Sequence, residues 1–283
     1  MKESKVILKI KQQDERQSLL DYLLSYKVNK SFVNHLLNLK KIKLNGSTII
    51  DKNYNIIEGD IIELDIEIEE IDPYAFDIKV IYEDSHIIIV DKPANILVHS
   101  DGNTNNTLTN AVKHYLNGKN EICNAYPIHR LDYETTGIVI FAKNKLMLSY
   151  LSVSIEKHEL LKKYICLCQN SFSSKQGVIN SPIGKDRHSN KQIVVKTGKE
   201  AESIYKVIKN GKISKVEVQI KHGRKHQIRV HMASIGHPIV GDKIYGNNQK
   251  ESLKLHFWYV EFIHPYTKEK MVVKCKEKFW WEY

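Results

Sequence analysis

The stretch Pro127-Ile-His-Arg-Leu-Asp-Tyr-Glu-Thr-Thr-Gly-Ile-Val-Ile-Phe-Ala-Lys143 joins a dense polar segment to a short apolar run. Ile138 to Ala142 is β-branched and aromatic, with Gly137 before it and Lys143-Asn144-Lys145 after it, so it reads as a buried strand. The polar half is then a loop carried by a sheet, a place from which a rigid scaffold presents reactive side chains. Asp132, with His129 and Arg130 beside it, offers a nucleophile or base with cationic neighbours. The same residues would also make an ordinary solvated loop, because structural ion pairs are common.

Upstream, Ile78 to Pro93 gives two strand-like runs around Glu83-Asp84-Ser85. A helix follows with Thr107 as its cap and Leu108, Ala111, Val112 and Tyr115 on one face. Downstream, Leu146 to Leu161 has helical spacing, and Lys162 to Cys168 reads as a strand with Tyr164, Cys166 and Cys168 on one face. Tyr164 is a core aromatic or a ring aimed into a site, and periodicity favours the core. Two strands, Ala201 to Ile208 and Ser214 to Ile220, flank Asn210-Gly211. In Lys221-His-Gly-Arg-Lys-His-Gln-Ile-Arg-Val-His231 a strand ends at Gly223 and a helix runs from about Lys225 to Ile235. Arg229 on that helix can form a bidentate pair with a carboxylate and keep a desolvated Asp ionised.

At the N-terminal end, Leu19 to Leu24 suggests a short helix, and Phe32, Leu36, Leu37 and Ile42 a second. A hairpin at Asn45-Gly46 and a strand after Gly59-Asp60 follow. This helix pair and hairpin resemble the S4-like RNA-binding domain, including Leu44-Asn45-Gly46 and Ile57-Glu58-Gly59-Asp60-Ile61, although Ser18-Leu19-Leu20-Asp21 departs from the usual helix opening. Lys40, Lys41 and Lys43 stand where such a module would meet phosphates. The acidic, Pro-containing stretch around residues 71–77 reads as a linker. The expected organisation is therefore residues 1–70, a linker at 71–77, and a second domain over 78–283.

The chain's 283 residues suffice for two domains, and 42% hydrophobic with 27% charged residues is an ordinary globular balance. A net charge of +10 points to a polyanionic partner. No apolar run approaches the roughly 20 residues of a membrane span and no leader is visible, so a cytoplasmic protein without membrane contact is expected. Cys123, Cys166, Cys168 and Cys275 form no C-x-x-C pair and read as free buried thiols. His222 and His226 have i, i+4 spacing, but they lie among Lys and Arg with no H-E-x-x-H pattern, so no metal is expected.

Four separated motifs carry a second resemblance: His129-Arg-Leu-Asp-x-x-Thr-Thr-Gly137 with Ala142-Lys143, then Lys163-Tyr164, then Gly223-Arg-x-His-Gln-Ile-Arg-x-His231, then Gly236-His-Pro-Ile-x-Gly-Asp242 with Tyr245-Gly246. In this order they resemble the RluA-type pseudouridine synthase family. Thr136 replaces the family's usual Ser, and residues 181–200 and 247–257 carry no assigned motif. The resemblance implies an α+β fold, with a mixed, mainly antiparallel central sheet flanked by helices and loops. It implies isomerisation of uridine in structured RNA, most of all 23S rRNA, by a monomer without a cofactor. Asp132 would be the catalytic aspartate, attacking the anomeric carbon or acting on the sugar to give a glycal. Arg229 would pair with it and Tyr164 would stack on the flipped base. His129, Arg130, Thr135, Arg224, His226 and Gln227 would contact RNA.

Physical chemistry agrees with that set of residues. A uracil must leave its stack to be reached, and holding the detached base near its sugar is a proximity problem needing no cofactor. A tRNA substrate and a non-catalytic rRNA-binding protein are the alternatives. A glycosidase would need a second carboxylate, for which only Glu134 is near in sequence, and the zinc deaminase pattern is absent.

Overall fold

The computed structural model describes residues 3–189, 191–246 and 251–275. The first strand, β1 (Glu3–Lys9), alternates exposed and buried side chains, the period-2 signature of a half-buried strand. Helix α1 (Leu19–Leu24) starts where the Ser18 hydroxyl accepts the Asp21 N–H, and α2 (Lys30–Asn38) where the Asn29 side chain accepts that of Phe32. Three strands follow: β2 (Ile42–Leu44), β3 (Ser47–Thr48) and β4 (Ile61–Glu67). They join β1 in a sheet of order β1-β4-β2-β3. Asn45 and Gly46, with φ of 50° and 81°, make the expected tight turn.

The second helix is shorter than its apolar spacing suggests. It ends at Asn38, Lys40 turns to φ 56°, and the fully buried Ile42 opens β2 instead of closing α2. Helical spacing and strand burial both place an apolar side chain at that position, and the left-handed residue decides between them. The core of this unit, including Leu8, Leu19, Leu23 and Ile42, continues into Ala142, Leu146 and Met147 beyond it. The stretch read as a linker is tied down at its start and just before it. Asn124 accepts the Glu69 N–H and donates to the Glu67 carbonyl, while Asn110 donates to the Asp72 carbonyl.

The remaining elements in chain order are β5 (Lys79–Glu83), β6 (Ile87–Lys92), α3 (Leu108–Gly118), β7 (Tyr126–Pro127), β8 (Thr136–Ala142), α4 (Lys145–Glu156) and β9 (Leu161–Gln169). Then come β10 (Gln176–Asn180), β11 (Ile183–Lys185), β12 (Gln192–Val194), β13 (Glu202–Lys209), β14 (Ile213–Ile220), α5 (Gln227–Ser234), β15 (Leu255–Ile263) and β16 (Lys270–Lys274). Most join one sheet of order β10-β13-β14-β9-β15-β8-β6-β5, with β16 on β15 and β7 on β8. Among the described residues β15 and β8 pair in parallel and the other pairs are antiparallel, so the expected mixed, mainly antiparallel α+β architecture is what forms. Strands β6 and β8 are buried on both faces, which explains their unbroken apolar runs.

Helix α4 ends at Glu156, and Leu161 belongs to β9, one turn earlier than the spacing suggests. Sequence reading passed over β1, β10, β15 and β16. The most consequential is β15, which sits between β9 and β8 at the middle of the sheet and sets Phe257 opposite both Tyr164 and Gly137. Gly137 has φ 117°, and a Cβ there would fall on the backbone of Phe257. The parallel contact therefore requires glycine on two counts, conformation and space.

We expect Gly137→Ala to destabilise the protein by about 3 kcal/mol or more, combining a forbidden φ with overpacking. Urea unfolding at 25 °C checks this. A loss below about 1 kcal/mol would show that the β8 and β15 backbones need not approach so closely.

Candidate active site

Asp132 stands on the turn between β7 and β8, with its side chain about one-fifth exposed. The turn is held from beneath by Lys92, which is fully buried and donates to the carbonyls of Pro93, Tyr133 and Thr135 at 2.9, 3.0 and 2.8 Å. An ammonium has three donors, so one side chain fixes the peptide groups on the C-terminal side of Asp132. The Thr135 N–H donates to the Asp132 carbonyl at 3.1 Å, and the Thr136 hydroxyl pairs with His256 Nδ1 at 2.7 Å on β15.

Arg229 arrives from α5 and is buried. Its Nε and Nη2 donate to the two oxygens of Asp242 at 2.8 and 2.7 Å, while Nη1 lies 3.7 Å from Asp132 Oδ2. The bidentate partner is therefore Asp242, and Asp132 takes the remaining edge of the fork. Asp242 is fully buried, and its Oδ1 also accepts the Ile244 and Tyr245 N–H groups. Burial alone would raise its pKa, but the guanidinium and these N–H donors reverse that and lower it. For Arg229, burial works against the charged form, and Asp242 and then Asp132 more than compensate, raising its pKa. One cation thus serves two carboxylates, held rigidly by the buried one.

The second edge of Asp132 faces His226, whose Nε2 lies 3.9 Å from Oδ1. The helix does not start at Lys225. His226 has φ 57° and precedes α5, which begins at Gln227. The left-handed turn carries the ring towards Tyr245, whose hydroxyl accepts the Gln192 N–H and lies 2.9 Å from His226 Nδ1. The hydroxyl and Nδ1 share one hydrogen bond, and Nε2 is the ring nitrogen turned towards Asp132. Burial lowers the His226 pKa, partly opposed by Asp132, and the ring is neutral.

Tyr164 on β9 is buried, its ring stacked on Phe257 with centroids 4.5 Å apart and planes 12° from parallel. Periodicity's preference for the core is half the account, because the ring also borders the cleft shared by Asp132, Thr135, Ile220, His226 and Arg229. Burial and the nearby Asp132 push its phenol well above the ordinary value, so the hydroxyl stays protonated.

The structure sorts the other expected contacts. Arg130 is exposed at the mouth of the cleft, and Arg224 lies there too, with Nε bonded to the Glu200 carbonyl. His129 turns inward: its Nε2 accepts the Ile140 N–H at 3.4 Å, its ring meets Phe257 edge-on, and burial, reinforced by Lys162, pulls its pKa down to about 3. A neutral ring supporting the loop follows, in place of a phosphate contact. Gln227 is likewise occupied, donating to Glu202 and Ser203 and accepting the Arg224 N–H, so it shapes the turn. Thr135 is buried, with its hydroxyl unpaired at the cleft wall.

Of the three lysines on the first unit, Lys40 is exposed, while Lys43 is half-buried on β2. Lys41 is held by Glu3 and Glu67 at 3.1 and 3.2 Å and is not free for phosphate. His226 and His222 face different neighbours, the latter packing on His158. Among the described residues one buried trio, Asp91, His256 and Cys275, has potential ligand atoms within 4.8 Å of one another, in the core and outside the cleft lining. Sequence reading assigned no role to Asp242 or Lys92. Both stood within quoted segments, yet a carboxylate's partner and a lysine's burial are not written in local spacing.

The profile of a family described as RNA pseudouridylate synthase matches residues 86–234. The chain is 34% identical over 260 residues to an uncharacterized RNA pseudouridine synthase of Bacillus subtilis, covering 88% of this chain and 85% of that protein. It is 32% identical over 286 residues to the ribosomal large subunit pseudouridine synthase D of Blochmanniella floridana, covering 89% and 88%. In fold it is similar to human RNA pseudouridylate synthase domain containing 1, with a TM-score of 0.62 and 21% identity over 72% of this chain and 84% of that one.

Asp242→Asn should destabilise the protein at pH 7 by about 3 kcal/mol, because Arg229 loses its buried bidentate partner. With the folded Asp242 pKa lowered, its contribution is complete above the unfolded value near 4 and declines as pH falls through the folded one. Urea unfolding should therefore show the gap between wild type and variant narrowing from pH 7 to pH 3. A gap independent of pH would exclude the ion pair as its source.

Proposed function

This chain belongs to the RNA pseudouridylate synthase family, and on that premise we propose that it isomerises uridines of large-subunit ribosomal RNA through Asp132, Arg229 and Tyr164. The observation that carries this assignment is the convergence on one cleft of an aspartate from the β7–β8 turn, an arginine from α5 and an aromatic ring from β9. The choice of RNA is supported by full-length relatives named for the large ribosomal subunit.

The reaction asks for three things that this cleft can supply. The target nucleotide leaves its stack at a cost of a few kcal/mol and needs a surface to rest on, which the buried Tyr164 ring provides. The bond from N1 to the anomeric carbon then breaks, either by attack of the Asp132 carboxylate or through loss of a sugar proton to give a glycal. A carboxylate serves both routes, and Arg229 at 3.7 Å stands beside Asp132 without a tight pair that would have to be broken. The detached uracil turns and carbon 5 bonds to the anomeric carbon, as Asp132 is displaced from it or the glycal regains its sugar proton; the proton then lost from carbon 5 is balanced by one taken up at N1. Confinement keeps base and sugar together through these steps. The raised Tyr164 pKa favours ring stacking over phenolate chemistry.

The four-stranded unit fits the S4-like module, and residues 1–70, 71–77 and 78–283 are read as module, connection and catalytic domain. Lys40 and the mouth residues Arg130 and Arg224 are the cations offered to phosphate. Among the described residues no helix is long and apolar enough to cross a membrane. With ribosomal RNA as its substrate, the enzyme is read as cytoplasmic, and as a monomer.

Pseudouridine mapping of total RNA from cells lacking the gene, complemented with wild type or Asp132→Asn, tests the reading. Wild type should restore a large-subunit site and Asp132→Asn should not, its single-turnover rate falling by at least about 10⁴-fold. A complete map with no lost site would refute the activity assigned here, and restoration by Asp132→Asn would refute the role of Asp132.

A further inference from the structure

Beside the cleft, on the other side of Tyr164, lies a second and roomier cavity of about 460 Å³. Its walls are largely apolar, formed by Ile128, Ile155, Leu160, Phe257 and Val260. Into it lines Lys162, two residues before Tyr164 on β9 and therefore on the same face of the strand. Lys162 is 8% exposed, and among the described residues its ammonium makes no hydrogen bond or ion pair. Burial lowers its pKa, the expected signature of a cation lacking a partner. An ammonium with no acceptor of its own within the described residues gains from a ligand that accepts its hydrogen bonds.

Cleft and cavity share Arg130, Tyr164, Ile220, Gly223 and Arg224. Two adjoining pockets with two arginines at their junction match two successive nucleotides, the phosphate between them meeting Arg130 and Arg224. Apolar walls do not suit a phosphate deeper inside but do suit the faces of a base. At the end of such a pocket an ammonium selects a base edge rich in acceptors, and lysine meets guanine at O6 and N7.

Resting on the uridine-isomerase reading, we propose that this second cavity binds the nucleobase next to the target uridine, with Lys162 selecting a base that presents a carbonyl, guanine above all. The enzyme would thus read one neighbour of its target directly, and Lys162 would be a specificity residue that takes no part in the bond rearrangement.

The test uses the full chain and a short RNA stem-loop around a uridine identified by mapping. The 5′ and then the 3′ neighbour is replaced by guanosine, by 2-aminopurine riboside, which lacks the O6 carbonyl and with it the N1 proton, and by an abasic site. At one of the two positions wild type should lose about tenfold or more in kcat/KM from guanosine to 2-aminopurine, mostly through KM, as expected for one charge-assisted hydrogen bond. In Lys162→Met the guanosine and 2-aminopurine substrates should be converted alike. The proposal is overturned if wild type discriminates at neither position, if discrimination survives in Lys162→Met, or if Lys162→Met slows every substrate by one common factor. Failure of wild type to convert any of these RNAs would instead strike the uridine-isomerase reading itself.

Discussion

One guanidinium sits between two carboxylates. Arg229 gives its strong fork to Asp242, buried and further fixed by two backbone N–H groups, and its remaining edge to Asp132. A charge buried on α5 needs a partner, and Asp242 meets that need without using Asp132. Asp132 is left beside a positive charge and an imidazole, about one-fifth open to solvent. This division of labour explains why the arginine is rigid and the aspartate accessible.

The scaffold exists to keep that arrangement in register. β15 runs between β9 and β8, so Phe257 touches the Tyr164 ring on one side and lies against Gly137 on the other. Gly137 opens β8 just beyond the turn that carries Asp132, and Lys92 on the neighbouring β6 fastens the carbonyls of that turn. The position of the Asp132 carboxylate is therefore set by a close backbone approach and by one buried ammonium. Both are interactions whose strength depends on exclusion of water.

What was legible in the sequence follows from the range of each interaction. Strand β8, the strand of Tyr164 and the capped helix at Thr107 declare themselves through local periodicity and capping chemistry. The Asn45-Gly46 turn is equally local. Positions 42 and 226 were misread because one left-handed residue breaks an otherwise helical pattern. β15 was missed because the motifs stop before it, although its apolar run is strand-like. The pairing of Arg229 with Asp242 was beyond reach for another reason: several carboxylates could satisfy a buried fork, and only the fold chooses among them. The same holds for His129, Gln227 and Lys41, whose polar groups are consumed within the protein.

The central claim is that Asp242 acts on the chemistry chiefly by holding Arg229. A cycle of single-turnover rates for wild type, Arg229→Lys, Asp242→Asn and the double variant measures it directly. The account predicts that each single change slows the reaction, and that adding Asp242→Asn to Arg229→Lys costs little more, a coupling of about 2 kcal/mol or greater. Multiplicative losses, with no coupling between the two positions, would contradict it.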